Sequence, residues 1–277
     1  MKLANFIYNE KKHYGIVHHN AIIDLIPLIG EKYSSLQNVL DKNALHELND
    51  FSNHKATIHP REITFLPVID TPEKILCIGM NYQDKRLEFN EKNNAPTIFV
   101  RFPDSQTGHN SLIQKPRISS EFDYEGELAV IIGKECYHVA EKDALEYIAG
   151  YSCYMDGSVR DWQHTWYTAG KNWPATGSFG PFLVTRDEIP DPQNLAIKTI
   201  LNGNIVQNDN TKNMVHKIPE IISYISTFTP LKAGDVIITG SPGGVGVKRQ
   251  PQLFLQDGDL VEVEIESIGR LSNRVGV

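Results

Sequence analysis

The segment Asp123-Tyr124-Glu125-Gly126-Glu127 runs without a break into Leu128-Ala129-Val130-Ile131-Ile132, and no other stretch constrains the fold as tightly. Five consecutive apolar residues read as a strand buried in a core. Side chains two apart on a strand share a face, so Glu125 and Glu127 point the same way at the mouth of that strand. Two like charges placed there repel each other and lose water. A desolvated carboxylate must gain a proton, a basic partner or a metal ion, because unpaired burial costs several kcal/mol.

Strand signals dominate the chain from about residue 74 onward: Ile75-Leu76-Cys77-Ile78, Thr97-Ile98-Phe99-Val100, Val236-Ile237-Ile238 and Leu260-Val261-Glu262-Val263-Glu264-Ile265. The last alternates, which places Glu262, Glu264 and Glu266 outward. Helices are expected near 84–92, near 141–148, after 160, and from Pro219 onward, where Ile221, Ile222, Ile225 and Phe228 would face inward. That is too few for the alternation of a doubly wound sheet. Ahead of this region, residues 1 to about 27 read as two or three short strands, and residues 35–51 carry an apolar helical face of Leu36, Val39, Leu40, Leu45, Leu48 and Phe51. Pro60, Pro67 and Pro72 mark an extended connection. The expected architecture is α+β and β-rich, with a small N-terminal subdomain (1–68) ahead of the main domain (69–277).

A chain of 277 residues is long enough for one large domain plus an appendage. With 27 basic and 34 acidic residues and no long basic run, it is not expected to bind nucleic acid. Cys77, Cys136 and Cys153 are odd in number and lack CxxC spacing, which suits a reduced compartment. The N-terminal apolar stretch is interrupted by Asn9, Glu10, Lys11 and Lys12, and no apolar run could span a bilayer. The expectation is a cytoplasmic protein that does not engage a membrane.

A second polar cluster lies at Gly150-Tyr151-Ser152-Cys153-Tyr154-Met155-Asp156, followed by Arg160 and Gln163. It supplies a third carboxylate, and Arg160 and Gln163 are spaced to share a helical face. Three oxygen donors with no His or Cys among them suit a hard cation, Mg²⁺ or Mn²⁺, with Ca²⁺ as a further choice. Lys171 stands in Ala169-Gly170-Lys171-Asn172-Trp173. The loop Thr239-Gly240-Ser241-Pro242-Gly243-Gly244-Val245-Gly246 follows a strand but has neither GxGxxG nor a GK[ST] ending. Its backbone N–H groups could hold a carboxylate.

These motifs together resemble the fumarylacetoacetate hydrolase superfamily over roughly residues 72–277. The likeness rests on Ile78-Gly79-Met80-Asn81-Tyr82, Asp123 to Leu128, Gly150-Tyr151 with Asp156, Ser158, Arg160, Asp161 and Gln163, and Gly170-Lys171 followed by Gly180-Pro181. It continues through Leu201-Asn202-Gly203, Gln207, Gly234-Asp235, Thr239 to Pro242, Gly244-Val245-Gly246 and Gly258-Asp259. The resemblance implies a rolled mixed sheet around the site, a homodimer, and a divalent metal on Glu125, Glu127 and Asp156. It implies Lys171 as the active-site lysine, and Tyr82, Arg160, Gln163, Thr239, Gly240 and Ser241 as substrate contacts. The family usually carries a His four residues after the Asn of Asn-Tyr and a Glu three further on, a lid pair that activates water. Here Lys85 takes the His position and Glu88 is kept, so the expectation is Glu88 as base, Lys85 as charge stabiliser and His109 as the nearest alternative base. The implied activity is metal-dependent C–C hydrolysis of a 1,3-dioxo acid of acylpyruvate type. The alternatives are a decarboxylase, isomerase or hydratase of a related 2-oxo acid, or a catalytically impaired binding protein.

Overall fold

A computed structural model describes residues 1–19 and 21–277, and every count here refers to those residues. The first strands, β1 (Lys2–Tyr8), β2 (Lys11–His18) and β3 (Ala21–Asp24), form an antiparallel meander. Asn9 and Glu10 join β1 to β2 with φ of 47° and 64°, the left-handed pair a two-residue hairpin needs. The others are β4 (Ile75–Gly79), β5 (Thr97–Arg101), β6 (Gly126–Ile132), β7 (Ile148–Met155), β8 (Gly177–Thr185), β9 (Ala196–Leu201), β10 (Asn204–Asn210), β11 (Val236–Ile238), β12 (Leu260–Ile265) and β13 (Gly269–Gly276).

The main sheet runs β3-β2-β1-β8-β7-β6-β11-β4-β5 and reaches 11 strands with two short additions, Thr64–Phe65 and Gln106–Thr107. It is mixed, because β11 lies parallel to β4 while the other neighbours on that path are antiparallel. The N-terminal meander extends this same sheet through the pairing of Leu3 with Leu183. A second sheet of 5 strands runs β10-β9-β12-β13 and ends at Ile113–Gln114.

The central strand β6 is buried on both faces, which is why its apolar run is continuous. Leu128, Val130 and Ile132 pack with Ile197, Leu201, Val261, Val263 and Ile265 of the second sheet. Ala129 and Ile131 pack on the other side with Leu3, Val39, Leu40 and Leu48. Each fully buried aliphatic side chain contributes about 1.5–3 kcal/mol, so the strand is held rigidly where its charged end begins. On β12, Val261, Val263 and Ile265 are buried and the glutamates lie toward solvent, as the alternation predicts.

Helix is sparse, as expected, and shorter than the periodicity suggests. Residues 35–51 do not form one helix: α1 (Leu36–Asp41) stops near Asn43, whose φ is 51°, and a 3-10 turn covers Leu45–Phe51. Asn tolerates that left-handed conformation, and it ends the regular helix. The segments at Glu141–Tyr147 and Arg160–Trp162 are also 3-10 turns. The lid segment forms α2 (Gln83–Phe89), ended by Asn90 with φ of 53°. In α3 (Ile218–Phe228), Ile221, Ile222 and Ile225 are buried, but Phe228 is 58% exposed. It sits in the last turn, edge-on to Tyr224 and beyond the reach of the core.

Candidate metal centre and active site

Glu125 immediately precedes β6, Glu127 is its second residue, and Asp156 follows the antiparallel neighbour β7. The register pairs Gly126 with Met155, and Asp156 N–H donates to Glu125 O at 2.8 Å. Adjacent strands therefore deliver three buried carboxylates to one end of the sheet, with a ligand atom of each within 4.8 Å of the others. Gly126 is required between the two glutamates, since a Cβ there would stand 2.1 Å from Thr199 Oγ1. Its N–H donates to Gln207 Oε1 at 2.9 Å.

Four cations gather around these acids, although the local motifs contain no basic neighbour of the metal-site glutamates. Lys171 Nζ donates to Glu125 Oε2 and Asp156 Oδ2 at 2.5 Å each and to Ser158 Oγ at 2.6 Å. Lys85 Nζ pairs with Glu125 and donates to Ser241 Oγ at 2.5 Å. Arg160 Nε donates to Asp123 Oδ2 at 2.9 Å, and its Nη2 lies 3.1 Å from Glu125 Oε1. Arg101 pairs with Asp156 from behind. Burial pushes the Glu125 carboxyl upward, but Arg160, Lys171 and Lys85 outweigh it and hold the group well below the usual carboxylate range. Glu127 goes the other way: burial, then Asp156 and Glu125, raise it well above that range.

The family pattern described as Fumarylacetoacetate (FAA) hydrolase C-terminal matches residues 74–276. The chain belongs to the fumarylacetoacetate hydrolase family. Among curated relatives, it is 45% identical over 220 residues to a mitochondrial oxaloacetate tautomerase of Xenopus laevis, covering 77% of this chain and 68% of that one. It is 38% identical over 303 residues to the fumarylacetoacetate hydrolase domain-containing protein 2 homolog of Dictyostelium discoideum, covering 99% and 97%. Among solved structures, the fumarylacetoacetate hydrolase of Exiguobacterium antarcticum superposes with a TM-score of 0.86 at 30% identity, covering 100% of this chain and 99% of that one. Maleylpyruvate hydrolase of Sphingobium sp. SYK-6, solved with manganese(II) and pyruvate, gives 0.84 at 26% over the same shares.

Within this family fold the expected residues divide into two groups. Lys85, Arg160, Lys171 and Ser241 line one cleft with Glu125, Glu127 and Asp156, closed in by Phe99 and Tyr167. The free space is about 20 Å³, room for about one water or one ion. The other residues stand outside its lining. Glu88 turns to the glycine loop, where Oε1 accepts from Gly244 N at 2.7 Å. Gly240 N–H donates to Glu127 Oε2 at 2.6 Å, and Thr239 Oγ1 donates to Leu128 O at 2.9 Å, so both brace the charged end of β6. Gln163 accepts from Arg160 Nη1 at 3.3 Å. Tyr82 is fully buried at the N-cap position of α2, and its hydroxyl has no hydrogen-bond partner among the described residues. His109 does not line the cleft; it stands edge-on to Phe65 and accepts from Ser272 N at 3.1 Å, and burial pushes its pKa down to about 4.

Arg101 is the functional candidate that sequence reasoning missed. A signal existed: on β5, Phe99 and Arg101 are buried while Val100 between them is 41% exposed. An arginine sharing a strand face with a buried phenylalanine needs a buried acid as partner.

Proposed function

We propose that this chain is a divalent-metal-dependent enzyme that interconverts the enol and keto forms of a 2-oxo dicarboxylic acid of the oxaloacetate type. The observation that carries the reading is where the cleft keeps its protons. An ammonium group has three N–H donors. All three of Lys171 are taken by Glu125, Asp156 and Ser158. Lys85 gives two, to Glu125 and Ser241, and so retains one N–H without a partner among the described residues. Glu88, the group expected to activate water, stands outside the cleft lining, with Oε1 held by Gly244 N and Oε2 buried without a partner among the described residues. The arrangement favours moving a proton to and from substrate over adding water.

The three carboxylates fit a hard divalent cation, being buried, oxygen-only and convergent, and the burial and mutual repulsion that raise the Glu127 carboxyl are what a cation would relieve. Mg²⁺ or Mn²⁺ held by Glu125, Glu127 and Asp156 would supply Lewis acidity that favours negative charge on the 2-oxo oxygen. The manganese and pyruvate in the Sphingobium relative support both assignments, and the name of the Xenopus relative supports the substrate class. Arg160 and Ser241 would orient a substrate carboxylate once lining side chains move aside, since the cleft as it stands has room for about one ion. Lys171, clamped in place, would offset developing charge. Lys85 Nζ would pass its proton to the carbon beside the carbonyl, and the enol hydroxyl proton would return to the same nitrogen, so the exchange balances without water. The reading extends to a homodimer acting on a free small molecule.

C–C hydrolysis is supported at the level of the superfamily, through the hydrolases among the solved relatives. One experiment separates the two. Enol oxaloacetate mixed with Mn²⁺-loaded protein should lose its enol absorbance with no release of pyruvate, oxalate or carbon dioxide. Stoichiometric formation of two acids from an acylpyruvate, with no acceleration of the enol decay, would replace this reading with the hydrolase.

A further inference from the structure

We infer that Arg101 is the positioning residue that commits one oxygen of Asp156 to the protein and leaves the other for the metal; this rests on the metal assignment proposed above. The guanidinium is fully buried and every nitrogen of it is anchored. Nη1 donates to Asp156 Oδ1 and, at 3.0 Å, to Gly157 O; Nη2 donates to Thr176 Oγ1 at 2.9 Å; Nε reaches Ser105 Oγ at 3.3 Å. These partners come from the turn after β5, the end of β7 and the loop before β8. The fork is therefore fixed by three separate segments before it touches the acid.

The division of the carboxylate follows from that geometry. Oδ1 faces Arg101, and Oδ2 faces Lys171 and the cleft. With Oδ1 held, the carboxylate cannot rotate to offer both oxygens inward or to turn away, so Oδ2 is presented to the cation in one orientation. Arg101 itself is absent from the cleft lining, so it does not touch substrate. Gly177 makes room for the fork: a Cβ there would stand 2.9 Å from Arg101 Nη2 and 2.6 Å from Gln106 Oε1. Partners that orient metal ligands typically change metal affinity 10–100-fold when removed.

The test is a Mn²⁺ titration of metal-stripped protein by calorimetry, with the thermal midpoint of each metal-free variant as the control for folding. Arg101→Met should weaken the Mn²⁺ Kd about 10–100-fold, and Arg101→Lys, which keeps a cation against Oδ1, should recover most of that loss. A role confined to stability would lower the thermal midpoint and leave the Kd of the folded protein unchanged, and a folded Arg101→Met protein with wild-type Kd overturns the inference. Should that variant not fold, Gly177→Ala keeps the guanidinium but crowds it, and is expected to weaken the Kd several-fold; an unchanged Kd there overturns the inference equally. If wild-type protein binds no Mn²⁺ while Asp156→Asn leaves that unchanged, the metal assignment itself fails and this role falls with it.

Discussion

Ion pairs of the same chemistry occur in two very different settings in this molecule. At the surface, Lys32 meets Glu47 at 2.6 Å and Lys232 meets Glu73 at 2.7 Å, with both lysines more than half exposed. At the mouth of β6, Lys85, Arg101, Arg160 and Lys171 meet Asp123, Glu125 and Asp156 with side chains at most 9% exposed. Surface pairs are screened by salt and hydration and contribute little. Burying so many charges costs more than apolar packing of the same volume would, so stability does not account for the inner set. It is the preorganised field expected of the metal and 2-oxo acid site proposed above.

The contrast should be sharpest on removing Lys171, which bridges Glu125 Oε2 and Asp156 Oδ2 and whose loss leaves those cleft-facing oxygens without their direct cationic donor. Lys171→Met is expected to lower kcat about 10²–10³-fold and to destabilise the metal-free protein by about 3–5 kcal/mol, read from enol decay and urea unfolding. Metal removal comes next. Chelation should abolish activity and Mn²⁺ should restore it. The pH dependence has a definite sign. Because Glu127 is raised above its unfolded value, the metal-free native state binds the extra proton, so its stability falls as pH rises above the ordinary carboxylate range. Mn²⁺ displaces that proton, and its affinity should therefore increase with pH; a flat profile would mean that the proton is not held there.

A smaller effect belongs to His109, partly buried and outside the cleft. Its lowered pKa of about 4 means that the native state resists protonation while the unfolded chain accepts it. Stability is fully present above about pH 6.5 and is lost as pH falls toward 4, by about 2–3 kcal/mol. His109→Gln should flatten that loss and leave kcat within about twofold, whereas a large fall in kcat would return His109 to the chemistry. At the weak end, Lys32→Ala should leave both kcat and the unfolding midpoint unchanged within error. A clear shift in either would break the division between the two sets.

The carboxylates of the inner set are legible in the sequence because each belongs to a strand end whose apolar partner residues are contiguous with it. Glu125 and Glu127 lead directly into Leu128–Ile132, and Asp156 ends the run from Ile148. The cations are less legible, for they arrive through tertiary pairing. Arg101 comes from β5, at the far edge of the sheet path, and Lys85 from α2 folding over the mouth. The β-rich class follows from strand periodicity, while the breaks near Asn43 and the outward turn of Phe228 depend on where the core ends. The lid shows the same limit. Spacing places both Lys85 and Glu88 on α2, but only the packing shows that Lys85 enters the cleft and Glu88 is latched to Gly244.

That last distinction is the centre of the account, and a paired measurement tests it: kcat for enol-to-keto conversion at saturating Mn²⁺ in Glu88→Gln and Lys85→Met. The account predicts that Glu88→Gln retains activity within about threefold and that Lys85→Met loses about 10²-fold or more, the size of a lost general acid. The reverse, with Glu88→Gln inactive and Lys85→Met near wild type, would contradict it and make the glutamate the proton carrier.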